Sequence, residues 1–515
     1  MKKLFRNILF GKFSALIFAI ISAIGVIVNN AYRVGYVFVD TTLFKNFSLG
    51  LFVLAIISTA YLTAVLCLEL RNSPAYGKKS IRVFQAILEI FAIVIAVYNT
   101  VNMIVGKKES FVAAFKLFKE AFPLWFGCIC LVSALFIIPN LNNRKIKIAV
   151  SAIITFVAVL TVFASAFPIT PFKLSSTPVV FDNGDSYSVV FSTSDASIAY
   201  IEYDYNGEHI IKYDENNGRK VGDSKIHAIT VPYEELSGNS YKVGATRVID
   251  ELSYGGRLGK SVESEAITLN DKFGDNINAL AVSDWHTYNS RAKKAIGYLG
   301  DYNAVILLGD FAPGVMFEDD IINYLIKFAS DLTGGKMPVI FVRGNHETRG
   351  RMSSKLSGLL KMDKFYYKTS LGDYDFIVLD STEDKEDSHP EYGSMNVYAG
   401  NRKETVRWLE TLENSDSRKT IALSHAKEIC IEEDLSQRAH KKLDELGVSF
   451  LASGHEHIYQ FINSSPYPIL VDGGIDANGS GTYVASMLKL SPSGISVMSV
   501  DSNGQTLINE TIDWR

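Results

Sequence analysis

The feature that most restricts how this chain can fold is a short apolar run followed by polar residues, which occurs five times after residue 270. Apolar runs of this length are typical of buried strands. In α/β folds, groups just past the strand ends collect on one side of the sheet. The five runs and the residues that follow them are Ala279–Ser283 with Asp284 and His286, Ala304–Leu308 with Asp310, Pro338–Val342 with Asn345 and His346, Thr420–Ser424 with His425, and Val448–Ser453 with His455 and His457. The pattern predicts one site built from residues that lie far apart in the chain.

Segments with helical periodicity separate these strands. Their apolar residues recur at helical spacing, which predicts helices at Asn289–Leu299, Phe317–Leu332, Glu404–Leu412 and Leu435–Leu446. Alternation of strands and helices indicates an α/β domain with a mixed sheet, which we place at residues 272–515.

The polar residues after the strands are a mixed set of oxygen and nitrogen ligands. Asp284 and His286 are two residues apart, so in an extended chain both point the same way and can reach one ion. The two carboxylate oxygens of Asp310 can bridge two ions, and Asn345 offers an amide oxygen. With the imidazoles of His425, His455 and His457, this set suits Mn²⁺, Fe or Zn²⁺ and disfavours Ca²⁺, which takes oxygen ligands only.

Each of these short motifs also has an ordinary structural explanation. Gly454–His457 can be a polar turn, and Asp310 can cap a strand end. Five motifs in order favour a metal site. Two divalent cations against two carboxylates leave a net charge of about +2, which attracts phosphate. Ions about 3.5–4 Å apart can activate a bridging water for in-line displacement, so no protein nucleophile is needed.

The set D-x-H, G-D, G-N-H-E, H and G-H-x-H, in that order, closely resembles the calcineurin-like metallophosphoesterase superfamily over about residues 275–500. The resemblance implies an αββα domain, in which two sheets are flanked by helices. It also implies that His346 donates a proton to the leaving oxygen or stabilises the transition state. The implied metal ligands are Asp284, His286 and His457 for one ion, Asn345, His425 and His455 for the other, and Asp310 as the bridge.

A series of short alternating runs precedes this domain. The runs predict strands and a small β-sandwich of the immunoglobulin or fibronectin type III kind at residues 171–271, and Asn206-Gly207 is a two-residue hairpin signal. The position of this module resembles the N-terminal β module of purple acid phosphatases. Those enzymes have D-x-G where this chain has His286, and Tyr where it has Pro313, so we expect no tyrosinate-iron site. The predicted strands are Tyr187–Phe191, Ile198–Tyr205, His209–Tyr213, Lys225–Val231, Ser240–Ile249 and Ser261–Leu269.

The first 170 residues contain five long apolar stretches, each near the ~20 residues that a membrane-spanning helix needs. They predict an all-α membrane domain with five transmembrane helices. With the N-terminus inside, the inner segments carry eleven Lys and Arg and the outer segments six. This bias predicts a multi-pass protein of the cell membrane with an extracellular catalytic domain. The stretches are about Phe13–Val28, Leu49–Leu68, Val83–Val105, Phe122–Ile138 and Ile148–Phe167.

Two further residues are candidates for binding substrate. Arg349, three residues after His346, can reach a phosphate bidentately, or it is an ordinary surface arginine. His389 lies in the polar loop Asp380–Tyr392, which follows the strand Phe376–Leu379 and is a candidate substrate-facing lid.

These features together predict a membrane-anchored, outward-facing phosphohydrolase with two divalent transition-metal ions. It would cleave phosphomonoesters or phosphodiesters through metal-bound hydroxide. Its expected partners are a phosphoester substrate and the lipid bilayer, and the sequence carries no nucleic-acid-binding signal. Two alternatives stay open: a metal-binding sensor or accessory domain without turnover, and a membrane protein whose spans carry the main activity.

Overall fold

The computed structural model of the protein describes residues 61, 64, 65, 68, 78–91, 171–251, 256–414 and 418–515. The chain divides into two compact units, Met1–Thr170 and Pro171–Arg515. The described strands are β1 Val179–Asp182, β2 Ser186–Ser192, β3 Ser197–Tyr205, β4 Glu208–Tyr213, β5 Glu215–Asn216, β6 Arg219–Lys220, β7 Ile226–Pro232, β8 Ser240–Glu251, β9 Gly256–Glu263, β10 Ile267–Thr268, β11 Ile277–Val282, β12 Ala304–Leu307, β13 Pro338–Phe341, β14 Tyr367–Leu371, β15 Tyr374–Leu379, β16 Lys419–Ser424, β17 Val448–Ser453, β18 Gln460–Ile462, β19 Ile469–Val471, β20 Gly474–Ile475, β21 Tyr483–Ser491, β22 Gly494–Asp501 and β23 Thr506–Ile512.

Helices connect many of these strands, and four of them overlap the four predicted helices. One is continuous from Glu318 to Thr333 and contains the π-helical segment Ile321–Ile326. The other α-helices after residue 170 are Tyr233–Leu236, Asn289–Ile296, Leu356–Leu360, Tyr398–Thr411 and Glu433–Glu445. Short 3₁₀ turns occupy His346–Thr348, Ser353–Lys355, Pro390–Tyr392 and Ala477–Gly479.

The predicted membrane helices fall largely on residues that the structure does not describe. The stretches at 13–28, 122–138 and 148–167 lie wholly outside the described residues, and those at 49–68 and 83–105 lie partly outside. Residues 79–91 form a helix of about thirteen residues. Within the described ranges, no helix combines the length and the apolar character needed to cross a membrane.

The predicted fold class, all-α membrane helices followed by a β-sandwich and an α/β domain, is therefore wrong for the part of the chain that the structure describes. The described residues form a mixed α/β fold with several sheets, and membrane helices are not seen among them. The predicted domain boundaries and the extracellular location stay predictions.

A ten-stranded sheet carries one half of the candidate site. Its order is β23-β22-β21-β11-β12-β13-β1-β2-β7, with β20 paired to β21. Strands β11, β12, β13 and β1 run parallel to one another, and every residue of β12, β13 and β1 is buried. Continuous apolar runs suit such strands because both faces of a parallel sheet are covered. The carboxyl ends of β11, β12 and β13 therefore lie side by side.

A six-stranded sheet carries the other half. Its order is β14-β15-β16-β17-β19-β18, and β15, β16, β17 and β19 are parallel. Alternate residues of its strands face different cores, as the two-residue repeat of a strand requires. Phe376, Leu423 and Phe450 join the core that contains β11, β12 and β13. Ile377 and Leu451 pack instead with residues of helices Tyr398–Thr411 and Glu433–Glu445.

The β region before the catalytic part shares a sheet with it. Strands β1, β2 and β7 extend the ten-stranded sheet beyond β13, with Phe181 opposite Val339. A separate sheet of β3, β4, β8, β9 and β10 packs against this extension, and Val189 and Ile229 meet Ile201 and Val243 in its core. The strands observed here lie close to the predicted ones. However, β1, β2 and β7, which form one layer of the predicted sandwich, belong to the ten-stranded sheet that carries the candidate site. The resemblance to the purple acid phosphatase module stays a likeness of arrangement.

Candidate metal centre

The structure brings the seven predicted metal ligands together at the ends of five strands. Asp284 and His286 follow β11, Asp310 follows β12, and Asn345 follows β13. His425 follows β16, and His455 and His457 follow β17. Six of the seven, all except Asn345, form three overlapping groups together with His346, and the potential ligand atoms of each group lie within 4.8 Å of one another. The groups are Asp284 with His286 and His457, Asp310 with His286 and His346, and Asp310 with His425 and His455.

Asp310 lies at the middle of these groups. Its Oδ2 is 3.3 Å from Nε2 of His425, 3.6 Å from Nε2 of His286 and 3.7 Å from Nε2 of His346. Oδ1 of Asp284 is 4.0 Å from Nε2 of His286 and 3.7 Å from Nε2 of His457. Asp310 thus connects the groups on either side of it, as a bridging ligand would.

The hydrogen bonds of these residues fit a bound cation. Oδ1 of Asp284 is buried and accepts no hydrogen bond, although Oδ2 accepts one from the backbone N–H of His455 at 2.8 Å. Nδ1 of His425 is 2.7 Å from the carbonyl of Leu308, and Nδ1 of His457 is 2.7 Å from that of Ile475. Because a carbonyl only accepts, both Nδ1 atoms donate, so Nε2 of either ring can present a lone pair to the centre once that ring is neutral. Converging lone pairs and an unpaired carboxylate oxygen are what a divalent metal needs.

The backbone at the centre is unusual. Five of the seven ligands have positive φ, which costs a residue other than glycine on the order of 1–3 kcal/mol and clusters at functional sites. Asp284 and His286 are therefore not in extended chain, and the extended geometry predicted for them is wrong even though they share a ligand group. The values are 47° for Asp284, 35° for His286, 61° for Asp310, 73° for His455 and 50° for His457.

Two glycines let the ligand loops approach the carboxylates. A Cβ on Gly454 would lie 2.5 Å from Oδ2 of Asp284, and a Cβ on Gly344 would overlap Oδ1 of Asp310. A side chain at either position would have to displace a proposed ligand. The close approach of these two loops to the carboxylates therefore explains why glycine is the first residue of G-N-H-E and of G-H-x-H.

Glu347 has a structural role that the sequence did not reveal. Its buried carboxylate accepts N–H groups from Gly344 at 2.7 Å, Asp310 at 2.8 Å and Phe311 at 2.9 Å. It therefore ties the loop after β12 to the loop after β13. Burial, followed by the charge of Asp310, raises the pKa of Glu347 to about 8, although the N–H donors favour the ionised form. The only sequence signal was its place beside His346.

Asp310 and His425 stabilise each other's charged forms. Burial opposes a charge on His425, but the carboxylate of Asp310 outweighs it and raises the pKa of His425 to about 10. Burial also opposes the charge of Asp310, but protonated His425 holds the pKa of that carboxyl below its usual range. A metal ion at this position would take over the role of that proton.

We expect metal affinity to rise with pH because His425 must lose its proton to bind an ion. Burial lowers the pKa of His286 and His455 to about 4, so both are already neutral near pH 7. With one displaced proton, affinity rises by up to about tenfold per pH unit between pH 6 and 9. Calorimetric titration with Mn²⁺ in buffers of different ionisation heat measures both affinity and proton release. An affinity that is constant over this range would contradict the displacement of a proton from His425.

His346 and Arg349 lie side by side at the edge of the centre. The His346 side chain is 25% exposed, and its Nδ1 is 2.9 Å from the carbonyl of Pro313. Arg349 places NH1 at 3.1 Å from Nε2 of His346 and forms a bidentate ion pair with Glu383. The sequence pointed to Arg349 but not to Glu383, which is 34 residues away and buried.

His389 is not brought into the ligand groups. Its side chain is 38% exposed, and Nδ1 accepts the backbone N–H of Glu391 at 3.4 Å, where the turn Pro390–Tyr392 begins. The loop around it does approach the site, because the hydroxyl of Tyr392 donates to Glu383 at 3.0 Å.

Comparison with known proteins gives a family match over residues that contain all seven candidate ligands. Residues 277–459 match the model of a family described as Calcineurin-like phosphoesterase. The comparison with curated proteins gave no match.

Similar solved structures come from several organisms. A conserved protein of Streptococcus pneumoniae, described as a predicted phosphoesterase, is 14% identical, with 47% of this chain and 99% of that chain covered and a TM-score of 0.25. GAP50, the anchor in the inner membrane complex of Plasmodium, is 14% identical, with 47% and 90% covered and a TM-score of 0.34. The phosphopantetheinyl hydrolase of Mycobacterium tuberculosis is 16% identical, with 39% and 89% covered and a TM-score of 0.28.

The family match and the candidate metal ligands occupy the same strands and loops. Residues 277–459 are a calcineurin-like metallophosphoesterase domain, and the protein is a phosphoester hydrolase.

Proposed function

We propose that the protein hydrolyses phosphomonoesters or phosphodiesters at a centre that holds two divalent transition-metal ions, Mn, Fe or Zn. The observation that carries the proposal is the position of Asp310 between two groups of ligands. His286 on one side and His425 on the other each place Nε2 within 3.6 Å of its Oδ2. A single buried carboxylate between two sets of imidazoles suits a pair of cations better than one.

The distances between the candidate ligands divide them into two groups, one for each proposed ion. Asp284, His286 and His457 form one group. His425 and His455 form the other, and Oδ1 of Asn345 lies 3.0 Å and 3.2 Å from their nitrogens. When bound, such ions supply Lewis-acid activation of water and neutralise charge on the phosphoryl group.

The residues around the ions position the substrate and assist the leaving group. His346 is partly exposed beside Asp310, so its Nε2 can approach the oxygen that departs. The hydrogen bond from Nδ1 to Pro313 keeps the ring in that orientation. Arg349, whose NH1 lies next to the same nitrogen, can contact phosphate oxygens. Cys430 is not a candidate nucleophile, because it is buried and burial raises the pKa of its thiol to about 12.

Replacing His346 with alanine tests this assignment. We expect kcat to fall about 10²–10⁴-fold, because the leaving oxygen loses its proton donor or its stabilising partner. Metal content should be unchanged, since His346 is not assigned as a ligand. The measurement is hydrolysis of p-nitrophenyl phosphate and of bis-p-nitrophenyl phosphate by the full chain with Mn²⁺, Zn²⁺ or Fe²⁺.

His209→Ala is the matched control, because His209 is exposed on β4 and pairs with Asp204. Equal activity of His346→Ala and the wild type would remove His346 from the mechanism. Stoichiometric metal binding without turnover of either ester would favour a metal-binding sensor instead.

A further inference from the structure

The positive charge of Arg349, beside His346, is already answered by two carboxylates. Its Nε and NH2 bind the buried carboxylate of Glu383 at 3.0 Å and 2.7 Å, and NH2 also lies 3.2 Å from Oδ1 of Asp384. NH1 lies 3.1 Å from Nε2 of His346. The bidentate contact that an arginine makes with a phosphate is therefore made with Glu383 instead. Arg349 adds little net positive charge to the site.

Lys427, two residues after His425, is matched in the same way. Its Nζ lies 2.8 Å from a carboxylate oxygen of Glu428. It also pairs with the carboxylate of Glu456, the residue between the two histidines of G-H-x-H. A second cation beside the candidate ligands is therefore outnumbered by carboxylates.

A third cation, Lys385, leaves this balance unchanged. Its Nζ lies 3.8 Å from Asp384 and 2.8 Å from another carboxylate, that of Glu391. In these ion pairs three cations face five carboxylates, which leaves the loops beside the ligands with a net charge of about −2. The five are Glu383, Asp384, Glu391, Glu428 and Glu456.

Two of these carboxylates act electrostatically on a candidate ligand. Burial, followed by the charge of His425, lowers the pKa of His455 to about 4. The charges of Asp310, Asp384 and Glu428 oppose this shift. Bound metal ions attract any phosphate, but carboxylates at this range repel each further negative charge that a substrate brings. Salt weakens this repulsion because the carboxylates are partly exposed.

This balance of charge bears on which phosphoester the centre takes. A phosphomonoester has a second pKa of about 6, so it carries close to two negative charges at pH 8, whereas a phosphodiester carries one. We infer that the loops around the centre select phosphodiesters over phosphomonoesters, because their net negative charge repels a dianion more than a monoanion. The inference rests on the proposed function, since it takes the two-metal centre as the site of hydrolysis.

Two esters with the same leaving group test the inference. They are p-nitrophenyl phosphate and its methyl ester, which differ by one charge and one methyl group. With the full chain and Mn²⁺ at pH 8, we expect kcat/KM to be higher for the methyl ester. Asp384→Asn removes one carboxylate, and its effect in free energy is twice as large for a dianion. We therefore expect kcat/KM to rise about threefold for the diester and about tenfold for the monoester.

A second variant separates charge from local contacts. Glu428→Gln removes a carboxylate that pairs with Lys427 rather than with Arg349, and it should also raise kcat/KM more for the monoester than for the diester. Asp331→Asn is the matched control, because Asp331 is exposed and pairs with Lys293 on the surface. Neither ester should be affected by it. A shift in Asp384→Asn alone would assign the effect to a released Arg349 and would overturn the inference.

Failure of the inference is distinguishable from failure of the proposed function. A wild-type chain with the higher kcat/KM for the monoester, or an unchanged ratio in both variants, would refute the selection for diesters and leave two-metal hydrolysis standing. A chain that binds Mn²⁺ and hydrolyses neither ester would refute the proposed function, and the inference with it.

Discussion

Replacing Asp310 with asparagine is expected to abolish the binding of at least one metal ion and nearly all hydrolysis. Oδ2 of Asp310 is the atom shared by His286 and His425, the ligands of the two proposed ions. Asparagine keeps the shape and the hydrogen bond from the N–H of His346 to Oδ1, at 2.9 Å, but removes the negative charge. Loss of a residue that supports a metal ligand costs 10–100-fold in activity, so loss of the bridge should cost at least on the order of 100-fold.

Two measurements separate this effect from unfolding. Elemental analysis gives the metal content of the purified variant, and thermal unfolding gives its stability. Asp331→Asn is the matched control, because Asp331 is exposed and pairs with Lys293 on the surface. Activity of Asp310→Asn within a factor of two of the wild type, with both ions retained, would show that this carboxylate does not bridge metals.

The positions of the candidate ligands past the strand ends could be predicted because the signal is local. Each strand is an apolar run buried on both sides, and each ligand follows within a few residues. Pro338–Val342 was predicted as a strand, and β13 occupies Pro338–Phe341. Proline suits the first position of a strand, where its missing N–H costs no ladder hydrogen bond. Local patterns of this kind determine the strands and the residues just past their ends, but not which strands pair with one another.

The parts that escaped prediction depend on contacts between distant residues. Glu347 gains its function only because the N–H groups of Asp310 and Phe311 face it across the fold. Glu383 pairs with Arg349 from another loop, and no spacing rule connects the two. The conformations of Asp284 and His286 are set by the loops around them, with Gly454 and Gly474 close to Asp284. The long apolar stretches near the N-terminus lie largely outside the described residues.

The sequence analysis did not predict strand β1. Together with its neighbours β2 and β7 it extends the sheet of the catalytic half, and removal of the three strands should destabilise that half. Val179–Asp182 pairs in parallel with β13, the strand that leads into Asn345 and His346. Val179, Phe181, Val190 and Ile226 belong to the core that the catalytic strands share. Full burial contributes about 1.5–3 kcal/mol for each such side chain, so their loss costs roughly 6–12 kcal/mol. That is comparable to the whole stability of a typical domain, about 5–15 kcal/mol.

A chain that begins at residue 272 is therefore expected to aggregate or to unfold without cooperativity, whereas one that begins at residue 171 should unfold cooperatively. Gel filtration and thermal unfolding by circular dichroism measure the difference. In the full chain, Phe181→Ala should lower the free energy of unfolding by about 3–5 kcal/mol, because its ring packs 6.0 Å from that of Phe341. Ile211→Ala, at a side chain 44% exposed on β4, should change it by less than about 0.5 kcal/mol. A monomeric, cooperative and active chain from residue 272 would show that the catalytic sheet needs no support from these three strands.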